Sequence, residues 1–485
     1  MQHTQADGFY RPAFDDFLQL LGGRSIGCDT FTAMDIAHIA WRSGFLIVAC
    51  KLLEQTVSHA APGALPMLHY HLARLYHARA MPRERRKHLK LAQKADTDYC
   101  FPWLLEDLVT LQWAISQDAR DYKAHYYLGN FLYAHDRGAQ AMVHWKTAAN
   151  LDPTNSIAWR NLGIAKFNVA GQPQQALKAF NRAIQAAPRD ARLVYERDQL
   201  WKRLGHPPAK RIAKLLQHHE LVHQRDDLCI ELAALHNSIG QPREALTILT
   251  TRHFQPWEGG EGLALGEYAR ARQLLAQECV QSGDAPQAVK HLDAALNPPE
   301  NLGEARHLLA NHSDIFYAMG CAQQSCGNPA AARQWWNKAA SARGDFEQMA
   351  VKSVSIMTYF AIRALQALGR HNQAKHMIAR LESHARQLLK AQPTVDYFAT
   401  SLPNMLLFSD NLEARRSAYA NVLLAQAAIA RGRIAEGLIR LNRALAIDPS
   451  YAPALMLKAQ ASAFRPSVSI FSRRPGYRKR EDTHA

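Results

Sequence analysis

The chain has 485 residues, 48% of them hydrophobic, with 58 Lys and Arg against 42 Asp and Glu for a formal net charge of +16. No apolar run approaches the ~18 residues of a membrane span, and no charged start leads into an apolar stretch near the N-terminus, so neither a span nor a secretory signal is expected. The seven cysteines are odd in number, scattered and free of any C-x-x-C pair, which argues against a disulfide framework and for reduced thiols in a cytoplasmic protein.

The predicted elements begin after a leader of residues 1–28. Residues 30–62 and 65–95 each read as two short helices, with Ile36-Ala37, Gly44 and Ala49 in one and Leu72-Ala73, Tyr76, Leu89 and Ala92 in the other. A sharper pattern follows: HYYLGN at 125–130, then Ala141, Trp145, Ala148 and Asp152-Pro153. It recurs as WRNLG at 159–163, then Ala176, Phe180, Ala183 and Pro188, a step of 35 residues from proline to proline. Near the end come Gly432, Leu441, Ala444 and Asp448-Pro449, and a closing helix is predicted at about 452–462.

Two antiparallel helices in a period of about 34 residues make this a tetratricopeptide repeat. The first helix carries a small residue after a leucine or methionine, as in Leu128-Gly129, Leu162-Gly163 and Met319-Gly320. The second carries Ala141, Ala176, Ala245, Ala288, Ala332 or Ala374, then a bulky residue four places on. Ridge-into-groove packing needs this alternation of small and large, and Asp-Pro stops the second helix because proline disfavours helix in the residue before it. No alternation of apolar and polar residues suggests a sheet. The expected fold is all-α, a right-handed tetratricopeptide solenoid over 29–463, with about ten or eleven units between residues 30 and 451. Inserts are expected near 252–262, 297–306 and 383–415, and a basic, disordered tail at 464–485.

The excess charge has two sources. Residues from Arg465 onward hold six Lys and Arg against two acids; Arg79, Arg83, Arg85, Arg86, Lys87, Lys90 and Lys94 stand against Glu84 alone. Lys87, Lys90 and Lys94 share one helix face. A solvated outer face and a disordered tail account for this charge without a ligand. A dock for nucleic acid, anionic lipid or an acidic protein is the sharper reading, and nucleic acid is disfavoured because no recognition motif accompanies the charge.

The inserts hold the best site candidates. In WEGGEG, Trp257 is followed by Glu258 and Glu261, with glycines that let two carboxylates converge beside an indole and grip a cationic or sugar-like ligand. The structural alternative has Trp257 as a plug and the glutamates capping the helix that starts near Leu263. Asn301 and Glu304, Asp396 and Tyr397, and Asn404 sit in the other inserts and are expected to line the same groove if those loops meet. Asn130 and Asn161 fall on the inner faces of adjacent units, where some tetratricopeptide domains hold a peptide carboxylate; Tyr126 and Glu196 stand where such a clamp wants basic residues, so only a general peptide groove is expected there. HELVH at 219–223 has the spacing of a zinc-protease helix, but no third ligand follows, and no metal or catalytic role is assigned. Cys321 and Cys326 are read as packing residues, and no cofactor is expected.

The phrases RHFQPWEGGEG, NPPENLGEAR, VDYFATSLPNMLLFSDNLEAR, CFPWLLEDL, YERDQLWKRLG and QRDDLCIEL strongly resemble one bacterial family. Its members join an N-terminal β-rich, sugar-enzyme-like domain of unknown function to a C-terminal tetratricopeptide array, and the likeness runs from about residue 96 to 460. The β-rich part is missing from this chain. The resemblance therefore implies an array that works alone or binds its other half as a separate polypeptide, with a tilt toward carbohydrate metabolism. The reading is a non-catalytic scaffold that holds a protein partner on its concave face; the alternative is a ligand-binding subunit of a carbohydrate system.

Overall fold

The computed structural model describes residues 30–257, 259–342, 344–347, 350–392 and 407–463. The leader 1–28, Glu258, Asp396, Tyr397, Asn404 and the tail 464–485 lie outside the described residues.

Among the described residues there are 23 α-helices, and nearly all pair as antiparallel hairpins of tetratricopeptide type. They form two compact units, Met1–Leu193 and Val194–Ala485.

The first unit contains α1 (Thr30–Arg42) with α2 (Leu46–Val57), α3 (Leu65–Ala78) with α4 (Pro82–Lys94), the unpaired α5 (Leu105–Gln117), α6 (Tyr122–Ala134) with α7 (Gly138–Leu151), and α8 (Ser156–Asn168) with α9 (Pro173–Ala186). The division falls within the first turn of α10 (Ala191–Arg203), and α11 (Pro208–Leu216) follows, joined to it by Arg211 and Asp198. The second unit goes on with a one-turn α12 (His219–Val222), then α13 (Asp226–Ser238) with α14 (Pro242–Thr250), α15 (Leu263–Gln281) with α16 (Ala285–Leu296), and α17 (Ser313–Ser325) with α18 (Pro329–Ser341). It ends with α19 (Thr358–Ala367) and α20 (His371–Lys390), α21 (Leu412–Ala430) and α22 (Ile434–Ile447), and the closing α23 (Ala452–Ala463).

The helices start where side chains meet the free backbone N–H groups of a first turn. Asp121 accepts from Ala124 N at 3.1 Å and Asn155 from Ala158 N at 2.9 Å. Second helices favour proline in the first turn instead, as at Pro82, Pro173, Pro242 and Pro329, where its missing N–H costs nothing.

The small-and-large alternation works within one hairpin. A Cβ on Gly129 would lie 2.5 Å from Trp145, one on Gly163 2.8 Å from Phe180, and one on Gly320 would run into Trp336. The bulky residue of the second helix therefore seats its ring over the glycine of its own partner helix. What the glycine admits is that side chain.

One departure from an all-helical chain appears after α18. Strands β1 (Asp345–Glu347) and β2 (Ala350–Lys352) form an antiparallel hairpin in which Phe346 faces Val351. Three residues per strand are too few for a period of two to show in sequence. The hairpin is held by Asn311, whose Nδ2 donates to the Gly344 carbonyl at 2.8 Å, and by His307, stacked on Phe346 with centroids 4.0 Å apart.

Candidate functional site

Successive first helices of the second unit present matching positions inward. Gln273, Tyr317 and Tyr359 each stand 15 residues before the second-helix alanine of their hairpin (Ala288, Ala332, Ala374), and Gln277, Cys321 and Arg363 stand 11 before it. All six line one cavity of about 380 Å³, together with Leu274, Asp314, Ala318, Phe360 and Ile429. Its last wall is α23, through Met456, Gln460 and Ala461.

α23 stands there because the chain returns to the start of its own unit. Arg203 Nη2 donates to the Phe408 carbonyl at 3.4 Å, Arg211 Nη1 reaches Ser450 Oγ at 3.4 Å, and α23 touches α13. Arg211 is fully buried and holds two carboxylates: Nε donates to Asp198 at 3.0 Å, and Nη2 donates to Asp198 at 2.5 Å and Glu231 at 2.7 Å. Lys202 adds bonds of 3.1 Å to both Glu231 oxygens. Burial alone would raise the Glu231 carboxyl, but Lys202 and Arg211 bring it down to about 2.

The cavity walls are mostly apolar and aromatic. Tyr359 and Phe360 meet edge to face with centroids 5.2 Å apart, and Tyr317 lies 6.4 Å from Phe360. Arg363 lies over Tyr317 and Tyr359, 5.8 and 5.9 Å from their centroids, and its Nη1 donates to the Tyr359 hydroxyl at 3.2 Å. Gln273 Nε2 donates to Asp314 at 3.0 Å, and burial pushes that carboxyl above its ordinary value. Burial likewise raises the Cys321 thiol and the Tyr317 hydroxyl, so both stay neutral at physiological pH. The arrangement offers an apolar socket with amide groups at its edge. It offers no activated nucleophile.

The residues singled out from the sequence that are described lie elsewhere. The 252–262 and 297–306 inserts do meet. Phe254 N donates to the Asn301 carbonyl at 2.8 Å, and Asn301 Nδ2 donates to the carbonyls of Leu249 and Arg252 at 2.8 and 2.7 Å. Gly303 adopts φ +77°, where a side chain would strike the Phe254 carbonyl. Glu304 accepts from Gly262 N at 2.5 Å at the start of α15, and Glu261 accepts from Gly259 N at 2.8 Å. Trp257 is half-buried over Gly260, whose Cβ position its ring occupies. In the first unit, Asn161 Nδ2 donates to Asn130 Oδ1 at 3.1 Å, which also accepts from Trp145 Nε1 at 3.0 Å. His219 and His223 are exposed at the two ends of the single turn α12, whose buried pair is Leu221 and Val222.

A hydroxyl–histidine–acid relay also exists in the first unit. Thr110 Oγ1 is 3.1 Å from His71 Nδ1, and His71 Nε2 is 2.7 Å from Asp107. All three are sealed from solvent, so no substrate reaches the hydroxyl and the relay serves packing.

The inward Tyr317, Tyr359, Phe360 and Arg363 were not singled out by motif. Their signal is positional: a fixed distance before each second-helix alanine, legible once the repeats are in register.

No family model matches the chain. Among solved structures, it is similar to YrrB, a TPR protein with an unusual peptide-binding site, at 16% identity over 47% of this chain and 89% of that one, with a TM-score of 0.19. A tetratricopeptide repeat protein from Parabacteroides merdae matches at 14% identity over 61% and 98%, with a TM-score of 0.26. A chain of Naa15/Naa10 bound to HypK-THB matches at 14% over 82% and 66%, with a TM-score of 0.29.

Proposed function

We propose that this chain is a non-catalytic scaffold that holds a polypeptide partner on the inner face of its second unit. The observation that carries the reading is the convergence of Tyr317, Tyr359, Phe360 and Met456 on one cavity, with Gln273, Gln277 and Gln460 among its lining. Its volume of about 380 Å³ suits one large apolar side chain of a bound segment, and the amides suit the polar backbone on either side of it. The partner is a protein, and a separately encoded β-rich, sugar-enzyme-like protein is the specific candidate. The site of action is cytoplasmic, in keeping with the free thiols among the described cysteines. The carbohydrate alternative at the WEGGEG insert draws no support from Glu261 and Glu304, whose carboxylates accept from backbone N–H groups of the loop itself.

The test is selection from a displayed random-peptide library with the wild-type chain, followed by rebinding to Ala318→Trp, which fills the cavity. Selected peptides should share an apolar anchor and lose at least about tenfold in affinity on the variant. Peptides that bind both proteins equally would remove the cavity from the function.

A further inference from the structure

The second helix of the second hairpin, α4, carries a row of cations that neither the fold nor the proposed cavity uses. Arg83, Arg86, Lys87, Lys90 and Lys94 are all exposed, and none makes a hydrogen bond or ion pair among the described residues. At 100° per residue, steps of three, one, three and four keep all five on one face, and the rise of 1.5 Å per residue makes the row about 16 Å long. The one acid of the helix, Glu84, stands off that face, and the opposite face buries His88 and Ala92 against α3. Arg85 is turned aside to His77 and Gln117 at 3.3 and 3.1 Å, and Gln93 to Asp118 and Asp121, so both flanking polar groups are already engaged.

An unneutralised row of this kind costs stability by self-repulsion and gains only when an anionic partner covers it. We infer that the outer face of α4 is a second docking surface, and that its occupant is an acidic α-helical segment of a protein. The row is one residue wide and has the period of a helix. A partner helix with Glu or Asp at i, i+4, i+7 and i+11 sets one carboxylate against each of Arg83, Lys87, Lys90 and Lys94, with Arg86 beside the row. The exposed face carries no aromatic ring for a base to stack on, and its apolar side faces inward, so it offers nothing to insert into a bilayer. This surface lies in the first unit and stands or falls independently of the cavity in the second.

The probe is a fluorescein-labelled helical peptide of about 20 residues with glutamates at that spacing, titrated against the full chain by anisotropy at about 50 mM salt. Three controls accompany it: the same composition with the glutamates out of register, a single-stranded DNA of equal charge, and a protein variant, Lys178→Glu/Arg333→Glu/Lys375→Glu, that makes the same change in net charge elsewhere. Lys87→Glu/Lys90→Glu/Lys94→Glu should weaken the in-register peptide at least about tenfold, the control variant less than about threefold, and the out-of-register peptide should bind about tenfold more weakly to wild type. Lys90→Gln, a neutral change at an exposed site, should give a smaller loss in the same direction and guards against misfolding of the triple variant. Equal binding of the two peptides, or equal loss on the control variant, would overturn the proposal. DNA binding tighter than the in-register peptide and lost on the Lys87, Lys90 and Lys94 variant would replace it with a nucleic-acid surface.

Discussion

His71 and Asp107 are joined by a 2.7 Å contact between Nε2 and Oδ1, buried in the first unit. Burial alone would raise the Asp107 carboxyl, but His71 and the backbone N–H groups of Leu104 and Trp103 hold it below its ordinary value. With the proton on Nε2, His71 Nδ1 is the acceptor that faces His38 Nε2 at 3.3 Å.

That order makes His38 a buried neutral histidine. Burial first, then the adjacent His71, lowers it to about 3, and burial with His69 lowers His88 to about 4. Below about 6.5 the unfolded chain takes up protons that these folded groups refuse, so stability falls as pH drops from there toward the folded values. The slope is up to ~1.4 kcal/mol per pH unit for each group. Urea unfolding at pH 7.5, 6.5 and 5.5 should show a falling midpoint, and His38→Gln should flatten the fall by nearly one proton. A midpoint constant over this range would contradict the assignment.

Arg211 donates twice to Asp198 and shares Glu231 with Lys202. Arg211→Ala leaves two buried carboxylates short of their partner and frees Ser450 as well. The expected loss is ~3–5 kcal/mol. Denaturant unfolding measures it, and a loss under ~1 kcal/mol would mean the site rehydrates cheaply.

Gly320→Ala and Gly266→Ala should move stability in opposite directions. The first forces a methyl into Trp336, which is expected to cost ~1–3 kcal/mol. The second sits exposed in α15 with nothing within 4 Å, and should gain up to ~1 kcal/mol from helix propensity. Melting curves of the two variants against wild type check both signs.

In the insert, Asn301→Ala removes both donors to the Leu249 and Arg252 carbonyls and should cost ~1–3 kcal/mol. Glu261→Ala removes one exposed acceptor near a helix start and should cost no more than ~1 kcal/mol. If Glu261→Ala is the more damaging, the joint between the inserts has been assigned to the wrong residue.

The sequence by itself determined the hairpins, because helix periodicity, the seating of Trp145 on Gly129, and the Asp-Pro stops are all local to one repeat of about 34 residues. It left the β1–β2 hairpin unseen, since three-residue strands carry no periodic signal. It offered WEGGEG as a site because glycine and glutamate have the same composition whether they bind a ligand or close a loop; the contacts of Asn301 and Glu304 with that loop belong to the tertiary structure. The cavity belonged wholly to the tertiary structure. Tyr317, Tyr359 and Met456 converge through the packing of successive helices and the return of α23 toward α13, a return at which Arg211 meets Ser450 from 239 residues away. Repeats specify their nearest neighbours, and where a stack of them meets itself follows from the sum of many small rotations.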